Sequence, residues 1–434
     1  MYGVVDSRRI LLKYSSSGQR QDIRISLEAV LSTPDFFYDG GNKYMTNYEK
    51  MRALLVENGM NERISRLFVR KFRIDEETFS CDEGTKEWAM TRGFFPSRVQ
   101  LYGLNEQNFQ NYLPDYCDFM LHPYNNHFVI WVNDKLSLKY TLGSVFADAL
   151  PEYYLYIEND GEYTYLMDAP ADIAKDKGFI LNLLKRKGVL IIKPNSSTSG
   201  GYGVMKAEWT GDGVCINNRE YFTEDAFVER INKLRNNIVT EYAYQHSALK
   251  KIWHSTECTL RVIMVKLPRE QFYMMPKWKC IVSYARFGTE VSGGASNLSS
   301  GGIGIGFDFQ TGKFNEFGIR YKQFCPDGDW RCYYHPDTKV IWKETGLPNW
   351  DYVRDTIYKV CRHYDSLNHL GLDIIITQEG FVFCEINSKP ALNYEQVMCG
   401  PVLADGENRA YFKSKGLEKI NKGKFYAIYQ ACQE

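Results

Sequence analysis

One segment constrains this chain more than any other: VLIIKPNSSTSGGYGV, Val189 to Val204. An apolar, strand-like run delivers Lys193, and a loop of Ser, Thr and Gly follows at once. Small residues let backbone N–H groups approach phosphate oxygens closely, and the hydroxyls add donors. A lysine at the strand end gives the same anion a point charge. Taken alone, the segment fits a plain Gly/Ser hairpin equally well. It is not a Walker A loop, because G-x-x-x-x-G-K-[ST] occurs nowhere in the chain. GGIGIG at 301–306 resembles a dinucleotide fingerprint only superficially. It runs into FDFQTGKF, a strand and turn, where that fingerprint needs a helix.

The second informative stretch is GLDIIITQEGFVFCEIN, which reads as two strands joined by a tight hairpin. Glu385 and Asn387 are two apart, so they share a sheet face, and the hairpin brings Asp373 beside them. Two carboxylates and an amide oxygen on a rigid sheet suit Mg²⁺, which prefers oxygen ligands and often completes its shell with phosphate. The bland reading is a solvated carboxylate on a sheet edge. Against it, Asp373 sits between Leu372 and Ile374, and Glu385 between Cys384 and Ile386. Charges in such company usually have a partner.

Three cations form a third set: Lys135 at a helix start, Arg261 in CTLRVIMV and Arg286 in SYARFG. Any one alone reads as a surface charge or an ion-pair member. Together with Lys193 and the acid pair, they supply both halves of a nucleotide-triphosphate site. Nucleophile signatures are poor by comparison. There is no G-x-S-x-G and no H-E-x-x-H, and the histidines show no ligand spacing.

Composition narrows the class. At 434 residues the chain exceeds one compact core, so two or three lobes are expected. Hydrophobic residues at 44% and charged residues at 24% describe an ordinary globular protein. The 53 basic side chains balance 53 acidic ones, which argues against a nucleic-acid partner held by bulk charge. No run is long and apolar enough to span a membrane, and the N-terminus lacks signal-peptide order. The 11 cysteines are scattered with no C-x-x-C, so reduced thiols and a cytoplasmic location are expected.

The elements read as mixed α+β. NYEKMRALLVENGMNERISRLFVRKF keeps helical spacing, interrupted by Asn58-Gly59. FVIWV reads as a short β-rich run, and the next helix opens at Asn133 or Asp134. ILNLLKRKG is a helix ending at Gly188, residues 227–236 are helical, and NIVTEYAY is a strand. CTLRVIMVKL and KCIVSYARFG read as antiparallel strands with one covered face. WDYVRDTIYKVCRHYDSL is an amphipathic helix, and the last 40 residues read as a helix and a polar tail.

In this order, Lys193 with its Ser/Gly-rich loop, IVTEYAYQH, CTLRVIMV and D373…E385-I-N387 resemble the ATP-grasp superfamily. YGLNEQNFQNYLPDY, WVNDKLSLKYTLG, LPEYYLYI and SGGASNLSSGGIGIGFD resemble its sugar-transfer-associated group, often encoded among capsule and surface-polysaccharide genes. The likeness covers roughly 95–400, and D-alanine–D-alanine ligases are more distant relatives.

The resemblance implies two α/β lobes gripping ATP, with an antiparallel sheet in the C-terminal lobe. The expected divisions are an N-terminal mixed region at 1–125, an N-lobe at 126–240 and a C-lobe at 241–434. Lys135 and Lys193 resemble the two phosphate-contacting lysines. The loop with Ser196, Ser199, Gly200, Gly201 and Gly203 resembles the phosphate lid. Glu241, Tyr242 and Ala243 resemble the adenine hinge, and Glu257 the ribose carboxylate. Asp373, Glu385 and Asn387 resemble the Mg²⁺ ligands, while Arg261 and Arg286 face the γ-phosphate and acyl substrate. Ser296, Asn297, Gly301 and Gly302, in the loop SGGASNLSSGG, are expected to line the acceptor pocket. Lys389 follows the metal asparagine where many relatives carry smaller residues, and the first ~90 residues match no pre-domain of the superfamily.

The function so implied is an ATP- and Mg²⁺-dependent carboxylate–amine ligase working through an acyl phosphate. Its substrates are a small or glycan-linked carboxylate and an amine, as in attaching an amino acid to a surface polysaccharide or its precursor. A kinase on the same fold, and a non-catalytic nucleotide-binding scaffold for glycosyltransferases, are the alternatives.

Overall fold

The computed structural model describes residues 46–196, 203–268, 277–293, 295–321, 324–325, 329–392 and 394–433. Two seven-stranded sheets carry the chain, and every strand pair in them is antiparallel. The first sheet holds β1 (Tyr153–Ile157), β2 (Tyr163–Tyr165), β3 (Val189–Pro194), β4 (Met205–Trp209), β5 (Val214–Ile216), β6 (Glu220–Phe222) and β7 (Asn237–Glu241). Its order is β2-β1-β7-β3-β4-β5-β6. Helices Phe179–Lys187 and Glu224–Asn232 cover one face, burying Phe179, Leu183, Leu184, Phe227 and Ile231 against Leu155, Leu190, Ile192 and Val239.

The second sheet holds β8 (Thr259–Lys266), β9 (Trp278–Phe287), β10 (Ile303–Phe307), β11 (Phe314–Ile319), β12 (Arg331–Cys332), β13 (His369–Ile376) and β14 (Phe381–Asn387). Its order is β12-β11-β10-β9-β8-β13-β14. Both faces are covered, not one as the alternation suggested. On one side lies the amphipathic helix Trp350–His363, which contributes Val353, Ile357 and Val360. On the other lie Leu113, Cys117, Tyr124, Tyr411 and Phe412, from segments far apart in sequence. This explains why β13 is apolar almost throughout: a strand buried on both faces has no reason to alternate.

Ahead of the sheets stands a helical unit. Asn47–Glu57 and Glu62–Thr78 break at Asn58-Gly59, where Gly59 takes a positive φ of 93°. Asn61 then caps the second helix, accepting from Arg63 and Ile64 backbone N–H groups at 3.0 and 3.3 Å. The final residues are not a polar tail. Helix Lys424–Gln433 returns to this unit, and Phe425 packs edge-on to Phe68 and Phe72 with ring centroids 5.2 and 5.3 Å away.

FVIWV is also corrected. It forms a 3₁₀ turn at His127–Val129 and a short helix at Ile130–Asn133, opened by the Asn126 side chain accepting from the Phe128 N–H at 3.0 Å. Five residues are too few for β-branching to outweigh a capped turn. Among the described residues no helix is long and apolar enough to cross a membrane.

Candidate functional site

The sheet register assembles the site. On β14, β13, β8 and β9, Glu385 pairs with Asp373, Asp373 with Arg261, and Arg261 with Tyr284. Directly opposed residues share a face, so these four side chains form one row across the sheet. Arg286 lies two residues beyond Tyr284, on the same face. Asn387 pairs with Gly371, where an added Cβ would meet Pro390 at 2.6 Å.

Within the row the acid and base halves meet each other. The Arg261 guanidinium donates to both Asp373 oxygens, to Oδ1 through Nε and to Oδ2 at 2.8 Å through Nη2. Arg286 Nη2 approaches Asp373 Oδ1 at 3.5 Å. Burial alone would raise the Asp373 carboxyl, but the two guanidiniums pull it below the usual carboxylate range. The Nε of Arg286 is buried and, among the described residues, without a hydrogen-bond partner. That donor is open to a ligand. Tyr284 sits 3.3 Å from Oε1 of Glu395, a carboxyl that burial raises.

One lysine comes from the first sheet and the other from the helix beside it. Lys193, on β3, is buried and donates to the Cys384 carbonyl on β14 at 3.1 Å, spanning the two sheets beside Glu385. Burial and then the neighbouring Lys135 lower its ammonium from the ordinary value. Lys135 Nζ stands 3.7 Å from Glu385 Oε1. Asp134 caps the helix Lys135–Gly143 by accepting from the Ser137 N–H at 2.8 Å. Asn195, next to Pro194 at the end of β3, ties this helix start down. Its carbonyl accepts from the Lys135 N–H at 3.0 Å, and its side chain accepts from the Leu136 N–H at 2.9 Å. Both lysines are therefore held by one junction. Asp134→Ala removes the cap and the Asn195 contact at 2.5 Å. It should cost about 1–2 kcal/mol in chemical denaturation, with a larger proportional loss of ATP affinity than any distant cap would cause.

Where the two sheets connect, Glu241 accepts from the Glu152 N–H at 3.2 Å and donates its own N–H to the Glu152 carbonyl at 2.9 Å. Tyr242 donates to Glu257, and Lys206 stands 5.0 Å from the Tyr242 ring. Ala243 is half-buried beside them. The loop before β10 folds back on Arg286: Asn297 Oδ1 accepts from it at 3.4 Å, and the Ser296 and Thr259 hydroxyls are 3.2 Å apart. Gly301 has φ +103°, and a Cβ on Gly302 would lie 2.6 Å from the Ser296 carbonyl. Only glycine fits that close approach. Ser196 and Gly203 bound residues 197–202, and Ser199, Gly200 and Gly201 among these lie outside the described residues.

A family model for sugar-transfer-associated ATP-grasp proteins matches residues 117–409. The chain belongs to that family. The match includes every site residue above and both sheets. Among curated proteins none matches the sequence. Solved structures similar to this family member include D-alanyl-alanine synthetase A from Vibrio cholerae, 12% identical, covering 67% of this chain and 66% of that one at TM-score 0.36. N5-carboxyaminoimidazole synthetase from Staphylococcus aureus, complexed with ADP, is 10% identical over 64% of this chain and 47% of its own, at TM-score 0.31. The ATP-grasp ligase PsnB, with a phosphomimetic precursor variant, Mg and ADP, is 12% identical over 70% and 61%, at TM-score 0.34. The chain thus spans less than half the length of the carboxyaminoimidazole enzyme.

The donor set fits a hard divalent cation. Glu385 is half-buried and among the described residues makes one ion pair, with Lys135, and the Asn387 side chain makes no hydrogen bond among the described residues. Asp373 differs, since Arg261 already occupies both its oxygens. An ATP-grasp site of this kind would hold Mg²⁺ chiefly through Glu385 and Asn387, with phosphate oxygens completing the shell. Asn195, Tyr284 and Glu395 are site residues that the motifs did not reveal. Asn195 alone left a signal, standing directly after the strand that carries Lys193.

Proposed function

We propose that this protein is an ATP- and Mg²⁺-dependent carboxylate–amine ligase that works through an acyl phosphate. One observation carries the reading: the row Glu385–Asp373–Arg261 on the second sheet faces Lys193 from the first sheet and Lys135 from the helix start that Asn195 ties to it. Carboxylates interleaved with lysine and arginine side chains suit a Mg²⁺-bound triphosphate laid between the sheets, with its γ-phosphate towards Arg286. In that arrangement a substrate carboxylate oxygen attacks the γ-phosphorus, the bond to the β,γ-bridging oxygen breaks, and ADP leaves. An amine then displaces phosphate from the acyl carbon and loses a proton. Arg286 and Lys193 hold the phosphate charge, and Arg261 fixes Asp373. Mg²⁺ would supply charge neutralisation at the phosphates. No protein nucleophile is required, in keeping with the poor nucleophile signatures.

The family's sugar-transfer association supports a glycan-linked substrate, a cytoplasmic setting beside glycosyltransferases and a place in surface-polysaccharide synthesis. Thermal stability tests the nucleotide half, because a ligand of the folded state raises the melting temperature by mass action. A shift that needs both ATP and Mg²⁺ is expected, and none at millimolar ATP would count against the reading. Product analysis with and without candidate amines separates a ligase from a kinase. Lys193→Ala should weaken ATP binding roughly ten- to a hundredfold by calorimetry, the worth of a charged hydrogen bond. Unchanged affinity would remove Lys193 from the site.

A further inference from the structure

Tyr153 opens β1 and is fully buried, yet among the described residues its hydroxyl has no hydrogen-bond partner. Buried hydroxyls are normally met, and leaving one unmet costs stability. Register fixes the face on which it stands. Tyr153 pairs with Thr240 of β7, which pairs with Ile191 of β3. Ile238, two residues from Thr240, pairs with Lys193. Opposed residues share a face, as do residues two apart, so Tyr153 stands on the face that carries Lys193. It packs there with Leu166 and Ile238, and against Leu136 from the helix that Lys135 opens.

The opposite sheet shows where the hydroxyl points. Burial, then the charges of Cys384, Glu385 and Asp134, raise it above the ordinary tyrosine value, so it stays a neutral donor. Cys384 and Glu385 act on the Lys193 ammonium as well, so hydroxyl and ammonium border the same part of β14. That strand bulges there: Asp373 pairs with Glu385 and Ile374 with Phe383, leaving Cys384 between them unpaired. The tyrosine is held in place from behind. Asp168 Oδ2 accepts from the Tyr153 N–H at 2.7 Å and from the Lys139 ammonium at 2.8 Å, and that ammonium lies 5.2 Å from the Tyr153 ring centre. Neither Lys135 nor Lys193 can take the hydroxyl proton, since an ammonium only donates. The Asp134 oxygens are engaged with the Ser137 N–H and the Asn195 side chain. Lys193 spans to the Cys384 carbonyl at 3.1 Å, and a phosphate, a stronger acceptor than a carbonyl, would draw that ammonium away and enter beside the hydroxyl.

We propose that the Tyr153 hydroxyl donates a hydrogen bond to a phosphate oxygen of the bound nucleotide, a third donor beside Lys135 and Lys193. The proposal rests on the nucleotide half of the ligase reading and adds β1 to the elements that build the site. Its contribution differs in kind from that of the lysines. An ammonium on a flexible stem attracts phosphate as a point charge, whereas a hydroxyl on a buried ring gives the phosphate chain a direction.

The test is Tyr153→Phe in the full chain, titrated calorimetrically with ATP and with inorganic tripolyphosphate, each with Mg²⁺, beside a melting curve without ligand. The variant should bind both roughly tenfold or more weakly, the worth of a hydrogen bond to a charged acceptor. Without ligand its melting temperature should hold or rise, because the ring stays and an unmet buried hydroxyl goes. Opposite signs in the two readouts exclude a general loss of packing. Tyr156→Phe is the control: that hydroxyl already donates to Asn236 at 3.1 Å, so parental affinity for both ligands is expected. Unchanged ATP affinity in Tyr153→Phe, or a fall in its ligand-free melting temperature, would overturn the proposal. So would a loss confined to ATP with tripolyphosphate unaffected, which would move the hydroxyl to the base or sugar. If tripolyphosphate binding depends on Tyr153 but the parent does not bind ATP, the nucleotide reading fails and the phosphate donor stands. If ATP binds parent and variant alike, the donor alone falls, and if neither ligand binds the parent, both fall.

Discussion

Glu385→Gln should lower ATP-dependent turnover roughly 100- to 1000-fold, the cost of losing one preorganised charge at a reacting phosphate, while the fold stays intact. The amide keeps the shape but not the charge. The side chain is 30% exposed and its one ion pair, with Lys135, is 3.7 Å long. The Lys135 end of the pair is only 6% exposed, so its loss should cost somewhat more than the ~1 kcal/mol of an exposed pair, a modest fall in melting temperature beside the loss of turnover. The two readouts thus separate chemistry from folding. A third sharpens the assignment. Glu385 repels free ATP when no metal lies between them, so the variant should bind metal-free ATP as well as the parent or better. Its gain in affinity on adding Mg²⁺ should largely vanish. Parent-like turnover at ordinary Mg²⁺ would remove Glu385 from the site.

How much of this was legible depended on whether the physics was local. The Asp373–Glu385 hairpin could be read because turn, strand length and side-chain alternation all lie within 371–387. Lys193 at its strand end was legible for the same reason. The pairing of Arg261 with Asp373 was not. The motifs gave Asp373 to a metal and Arg261 to phosphate, whereas β8 lies beside β13 and the two side chains meet across that boundary. Sheet order is decided by contacts more than a hundred residues apart, which no short pattern encodes. The polar tail expected at the end, where the helix Lys424–Gln433 stands, failed for the same cause. Its buried Phe425 looks like one aromatic in a mixed stretch until helices more than three hundred residues earlier supply its pocket. FVIWV failed in the other direction, its β-branched composition overruled by a single capping asparagine.

Arg98→Met should be the most destabilising single change, at about 3–5 kcal/mol, because it breaks a buried ion network by removing one partner. Arg98 is 4% exposed and lies between two carboxylates, with Nη2 at 3.0 Å from Asp115 Oδ1 and Nη1 at 3.4 Å from Asp75 Oδ1. Backbone N–H groups of Phe95 and Ser97 reach the same acids at 3.1 Å each. Burial already raises the Asp75 carboxyl from its usual value even with the guanidinium present. Without it, the Asp75 carboxyl is pushed higher still in the folded state. An acid whose folded value lies above its unfolded one takes up a proton on folding, so the loss should shrink as pH falls from 7.5 towards 5. Denaturant titrations at the two pH values check the sign, and a loss independent of pH would rule out the charge explanation. Adding Asp75→Asn and Asp115→Asn to Arg98→Met should recover part of the stability, since an amide needs no counter-charge. The effect should reach the site. The Arg98 guanidinium lies 5.5 Å from the Tyr394 ring, and Tyr394 precedes the Glu395 that meets Tyr284 in the reacting row. Arg98→Met should therefore also weaken ATP–Mg²⁺ binding in the thermal-shift assay, where a change confined to the helical unit would leave it alone.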